Sequence, residues 1–182
     1  MLSDPSVSYD YLAIAQDISR GMAYLHSKNI IHRDLKPGNV FITRDNKAKV
    51  ADFGLSITDT GGEDLTGETG TYRWMAPEVI RHEKYSINSD TYSFGVILWQ
   101  LATRNPRPFE DMQPVQTAYA VAHGARPEIP EYVPEYISRA IRACWDHDQL
   151  RRPPFAYVSI ALAQFGAVAS EQDIDRSAHS DV

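Results

Sequence analysis

A mainly α-helical single lobe with a small β-hairpin at one edge is the fold class this sequence predicts. Apolar residues recur at helical spacing between Leu12 and Leu25, and residues 92–101 are apolar on nearly all sides. Only two short segments, 40–42 and 47–50, read as strands. At 182 residues the prior is one domain, placed over 1–165. Residues 166–182 are rich in Ser, Asp and Ala without periodic apolar positions and are expected to form a disordered tail.

Ser8 is positioned to cap a first helix running to about His26, with Leu12, Ile14, Ala15, Ile18, Met22 and Leu25 along one face. Asn29 suits the left-handed residue that follows a helix end. The two strands flank a turn at Asp45-Asn46, so the hairpin holds Asn39 at one end and delivers Asp52 at the other. From Ile57 to Glu68 the composition turns to Asp, Thr, Gly and Glu, which predicts a mobile loop. The 92–101 segment predicts a buried helix. Weaker helices follow over 114–123, stopped by Gly124, over 134–145, and from near Phe155 to Gly166. No internal repeat is present.

With 43% hydrophobic and 23% charged residues the composition is that of an ordinary globular protein. A net charge of -6 argues against nucleic acid as a partner. The apolar run Val96-Ile97-Leu98-Trp99, like every other in the sequence, is too short to span a bilayer, and the first five residues resemble no signal peptide. Cys144 is the lone cysteine, so no internal disulfide forms and a reducing, cytoplasmic location is expected.

Two motifs carry chemistry. His32-Arg33-Asp34-Leu35-Lys36-Pro37-Gly38-Asn39 is followed by Asp52-Phe53-Gly54. A carboxylate, a lysine and two hard-oxygen side chains around a short hairpin are the groups that phosphoryl transfer requires. Any one of these residues alone would suit an unrelated surface turn; five identities at fixed intervals, with the second motif at the right distance, do not. Gly62 to Thr69 has the outline of a phosphate-binding P-loop, but Glu68 stands where that motif needs Lys and no strand precedes it.

On these motifs the chain resembles the C-terminal lobe of a protein kinase. The resemblance implies Asp34 as catalytic base and Lys36 as the cation at the transferred phosphate, with Asn39 and Asp52 as magnesium ligands. It implies Phe41 beneath the adenine ring, where many relatives carry Leu, and His32, Arg33 and Phe53 as supports. Gly70-Thr71-Tyr72-Arg73-Trp74-Met75-Ala76-Pro77-Glu78 is similar to the end of an activation segment. By that likeness Thr71 contacts Asp34 and Lys36, Glu78 pairs with Arg152, and Asp90 anchors the catalytic loop through its amides. Arg33 beside Asp34 implies control by a phosphate on the activation segment, with Thr66 and Thr69 as candidates and Thr58 and Thr60 behind them.

Lys36-Pro37-Gly38 follows the serine/threonine pattern, whereas Trp74 to Glu78, Ser93-Phe94-Gly95 and Cys144-Trp145 look like tyrosine kinases. That mixture resembles the tyrosine-kinase-like group, whose members mostly phosphorylate Ser and Thr. The implied function is transfer of the ATP γ-phosphate to protein hydroxyls, with ATP and Mg2+ bound, a protein substrate and an upstream activating kinase. None of the ten glycines fills a Gly-x-Gly-x-x-Gly pattern, and no strand Lys or partner Glu of an N-terminal lobe is found, so a partial domain is expected. The competing expectation is a catalytically silent interaction or regulatory module; a small-molecule phosphotransferase fits the protein-binding platform poorly.

Overall fold

The first helix, α1 (Tyr11–Ser27), begins where Asp10 accepts hydrogen bonds from the Leu12 and Ala13 amides at 2.9 and 3.2 Å. That corrects the expected cap: Ser8 lies outside the described residues, and the helix starts beyond it because Asp10 is an equally good acceptor for the orphan first-turn amides. The computed structural model describes residues 10–52, 57–58 and 71–165, with Ile57, Thr58 and Thr71 described by backbone alone. The P-loop-like Gly62–Thr69 stretch, Phe53, Thr60 and the expected tail also lie outside these residues.

One face of α1 buries Ala15 together with Leu12, Ile14, Ile18 and Met22, the larger side chains each contributing about 2 kcal/mol. The helix ends at Asn29, which takes φ 57° and returns its amide to His26 O at 3.0 Å. Strand β1 (Ile30–Ile31) follows and pairs antiparallel with β4 (Ile57–Thr58), Ile30 opposite Thr58. The expected loop from Ile57 therefore starts as a strand in its first two residues.

The predicted hairpin is present as β2 (Val40–Ile42) and β3 (Ala48–Val50), in the register Val40 to Val50 and Ile42 to Ala48. Lys47 belongs to the turn rather than the strand, because its amide and carbonyl are both bonded to Thr43 Oγ1 at 3.0 Å. Asn46 takes φ 57° to close that turn. The hairpin is tied to α1 where Asp17 Oδ2 accepts from the Ala48 amide at 3.1 Å.

After a short helix α2 (Pro77–Ile80), with Pro at its first position, comes α3 (Ile87–Thr103), capped by Ser86 and stopped by left-handed Arg104. Every residue from Ser89 to Leu101 is buried, as expected over 92–101 and extending to the polar Ser89, Asp90 and Thr91. This central helix packs on α1 and on α5 (Glu135–Cys144). Gly95 permits the second contact: a Cβ there would lie 2.9 Å from Cys144 Cβ and 3.1 Å from the Trp145 backbone nitrogen. Helix α4 (Pro114–Ala122) and a last helix, α6, over 155–165, complete the lobe. His123 and Trp145, expected as helical, are the C-cap residues of α4 and α5.

Candidate active site

The loop between β1 and β2 is built on a buried carboxylate. Asp90, in the first turn of α3, is fully buried and accepts from the His32 amide at 2.9 Å and the Arg33 amide at 3.0 Å. Two side chains complete its shell, His26 Nε2 at 2.9 Å and Tyr85 Oη at 3.3 Å. A buried charge is tolerable only when its lone pairs are so filled. The Tyr85 hydroxyl is in turn pushed well above its ordinary pKa, by burial first and by the Asp90 charge second.

His32 is buried and spans the site: Nε2 donates to Ala51 O at 3.1 Å and Nδ1 accepts from the Asp34 amide at 3.3 Å. Those two bonds require the neutral tautomer protonated at Nε2. Arg33 takes φ 71°, which turns the chain outward and sets Asp34 at the rim; its guanidinium lies 5.8 Å from the Tyr85 ring centre.

Lys36, Asn39 and Asp34 meet in one cluster. Pro37 to Asn39 form a single 3-10 turn closed by Asn39 N to Lys36 O at 2.9 Å, which brings the chain back towards Asp34. Lys36 Nζ reaches Asp34 Oδ2 at 2.8 Å, and Asn39 Nδ2 donates to both Asp34 Oδ2 at 2.9 Å and Asp34 O at 2.7 Å. Both amide hydrogens of Asn39 are thereby used, which leaves Oδ1 as its remaining side-chain acceptor. Asn39 O accepts from the Ala51 amide at 2.9 Å, and exposed Asp52, at φ 63°, is the next residue beyond that pairing.

A carboxylate, a carboxamide oxygen and an ammonium in one cluster are groups that would suit a divalent cation and a phosphate, since magnesium takes few protein ligands and keeps the rest as water and phosphate. Among the described residues no cluster of three or more His, Cys, Asp or Glu could hold a metal alone. Phe41, on β2, leaves 54% of its surface open.

The platform below is held by Glu78 and Arg152, bonded at 2.6 and 2.8 Å, with Ser89 Oγ also donating to Glu78 at 2.9 Å. Burial pushes the Glu78 carboxyl up, but Arg152's hydrogen bonds and charge outweigh it and hold the pKa below the ordinary range. Arg73, absent from the sequence-derived roles, donates to Pro108 O, to Phe109 O at 2.5 Å and to Met112 O at 2.8 Å, clamping the segment after α3 to the platform. His26 and Tyr85 carry no sequence signal of this role, since they lie 64 and 5 residues from Asp90 with no pattern linking them to it. Thr66 and Thr69 lie outside the described residues, as does the Thr71 side chain. No described helix is long and apolar enough to cross a membrane.

The family profile described as "Protein tyrosine and serine/threonine kinase" matches residues 4–162. Serine/threonine/tyrosine-protein kinase HT1 of Arabidopsis thaliana is 43% identical over 161 residues, 88% of this chain and 41% of its own length. Serine/threonine-protein kinase STY46 of the same plant is 40% identical over 92% of this chain and 29% of its own. The tyrosine-protein kinase transforming protein Fps of an avian sarcoma virus is 36% identical over 82% of this chain and 28% of its own. The chain thus spans less than half the length of these relatives, and the helical lobe with its catalytic-loop hairpin corresponds to the lower lobe of their fold. On the profile match and these identities, the chain belongs to the protein tyrosine and serine/threonine kinase family.

Proposed function

We propose that this chain is the C-terminal, catalytic-lobe portion of a protein serine/threonine kinase, which transfers the γ-phosphate of ATP to Ser and Thr hydroxyls of a protein substrate. The supporting observation is the Asp34 cluster: one carboxylate oxygen held by Lys36 Nζ at 2.8 Å and Asn39 Nδ2 at 2.9 Å. Held this way, Asp34 keeps its other oxygen for the substrate hydroxyl, whose proton it receives. Lys36 screens charge at the phosphate being moved. Asn39 Oδ1 and Asp52 would hold a magnesium ion, which would supply positive charge against the charge of the phosphates. Lys36 followed by Pro37-Gly38 supports Ser and Thr over Tyr as acceptors. An upstream kinase acting on Thr66 or Thr69 is part of the same proposal.

Positioning and electrostatics account for most of the rate in this reaction class. Phe41, exposed on β2, offers the apolar floor on which an adenine ring rests. The test is calorimetric titration of Mg-ATP into the purified chain, paired with a labelled-phosphate transfer assay on a generic protein substrate. Magnesium-dependent binding that Asp52→Ala abolishes, with phosphoserine and phosphothreonine lost in Asp34→Asn, is the expected result. Absence of any magnesium-dependent nucleotide binding would sink the proposal and favour a silent interaction module.

A further inference from the structure

We infer that residues 167–175 of this chain dock back into a groove between α5 and α6 and tie the two helices together. The groove is a cavity of about 580 Å³. Ala140 and Ala143 of α5 and Ala161 of α6 line it with methyl groups, and Tyr136, Tyr157 and Phe165 add aromatic wall. Helix α6 gives a second sign of a covered surface. It carries no charged residue from Phe155 to Phe165, and Tyr157 and Ile160 stay exposed. A surface helix ordinarily turns a polar face to water.

The residues that follow α6 have the chemistry of an occupant. Phe165, part of the wall, precedes Gly166, and glycine at a helix end suits a reversal of the chain. Ala167-Val168-Ala169 are small and apolar, and Glu171, Asp173 and Asp175 come next. Helix α5 carries its charges in the matching order. Phe165 stacks on Tyr136 with ring centres 4.8 Å apart. At the other end of the groove, Cys144, the last residue of α5, lies with Pro153, just ahead of α6, so the two helices run antiparallel. A segment returning along α6 therefore passes Glu135 first and reaches Arg139 and Arg142 afterwards. Its apolar residues lie beside the one acid of α5 and its carboxylates beside the two arginines. Glu135 bonds Arg139 at 2.9 Å and Arg142 donates to Ser138 Oγ, so this face keeps a net positive charge. The reach is adequate, since α6 over 155–165 is about 16 Å long and an extended chain covers that in about five residues. A composition that predicts disorder in isolation needs few contacts here, because covalent attachment gives a high effective concentration.

Amide NMR on the full 182-residue chain tests this, with Val168→Asp as the variant. A charge at that position should lower the ratio of docked to free segment by roughly tenfold or more. The amide signals of Ala140, Ala143 and Ala161, none a sequence neighbour of residue 168, should shift. Amide nitrogen relaxation at position 168 should change from that of α6 to that of a free segment. Val168→Ile, still apolar, should leave both readings as in the unaltered chain. Arg139→Glu combined with Arg142→Glu should free Asp173 by the same relaxation measure; if that double variant does not fold, the two Val168 variants decide. Shifts in Val168→Asp confined to residues 164–172 overturn the inference, as does free-segment relaxation at Val168 in the unaltered chain. Alanine signals that move with protein concentration, with a doubled mass in sedimentation, also overturn it, because a second copy then fills the groove.

Discussion

Arg152 holds Glu78 in a two-pronged ion pair, Nη1 to Oε1 at 2.6 Å and Nη2 to Oε2 at 2.8 Å, with the two side chains 0% and 2% exposed. The remaining donors of the guanidinium are spent on the carbonyls of Asn88, Asp146 and His147. The Tyr92 ring lies 5.2 Å below it. The pair joins the short helix α2, the start of α3 and the segment after α5.

Breaking one side of this pair should cost far more than removing both. Arg152→Met leaves Glu78 buried and uncompensated, a loss of roughly 3–5 kcal/mol. Pairing it with Glu78→Leu removes the stranded charge and should recover part of that loss. Denaturant midpoints of the two variants check this; equal or smaller loss in the single variant would contradict it.

The same pair predicts acid sensitivity. Glu78 has a folded pKa below its ordinary value of 4.5, so the unfolded chain binds more protons and stability rises with pH through this range. The contribution is fully present above about pH 4.5 and is lost as the pH falls through the depressed folded value. Glu78→Gln should be less stable near neutrality and should show a shallower decline on acidification. Unfolding free energies measured from pH 6 downwards, in about half-unit steps, test both statements; parallel curves for the two proteins would remove Glu78 as the cause.

Gly95 tests how closely the central helices pack. A methyl group there would meet Cys144 Cβ at 2.9 Å and the Trp145 backbone nitrogen at 3.1 Å, and neither is the tip of a flexible side chain. Gly95→Ala should therefore destabilise by about 1–3 kcal/mol through overpacking, against the usual gain from replacing a helical glycine. Thermal unfolding is the measurement, and a raised midpoint would show that α3 and α5 can separate without cost.

These relationships differ in how far the sequence discloses them. The run from Tyr92 to Leu101 has no polar face to show water, so burial of α3 follows from composition alone. Asn29 and Asn46 mark two of the left-handed positions because few other residues adopt that conformation readily, whereas Arg33, Asp52, His82, Arg104 and Phe109 take it without such a signal. The catalytic-loop residues are legible because phosphoryl transfer constrains their identities as well as their spacing. Strands β1 and β4 are not, since two residues carry no periodicity and their pairing joins Ile30 to Thr58 across the intervening hairpin. The choice between Ser8 and Asp10 as cap is open in sequence, because both side chains accept the same amide bonds. The contact of His26 with Asp90 depends on how α1 packs on α3, which no local window contains.

Asn39 offers the sharpest test of the site's electrostatics. Its amide nitrogen faces Asp34 O at 2.7 Å and Asp34 Oδ2 at 2.9 Å, so Asn39→Asp replaces two hydrogen bonds with oxygen facing oxygen. Without a cation the variant should lose about 1–3 kcal/mol, from the unmade bonds and from repulsion between neighbouring carboxylates. If Asn39 and Asp52 form a magnesium site, the added carboxylate is also a stronger hard-oxygen ligand. Millimolar Mg2+ should then raise the melting temperature of Asn39→Asp by more than it raises that of the unaltered chain, because a ligand stabilises in proportion to its preference for the folded form. Ca2+, larger and less demanding of octahedral geometry, serves as the control for simple charge screening. An equal shift for both proteins with both ions would mean that the cation acts on net charge alone, and Asn39 would then be only the hydrogen-bonding support of Asp34.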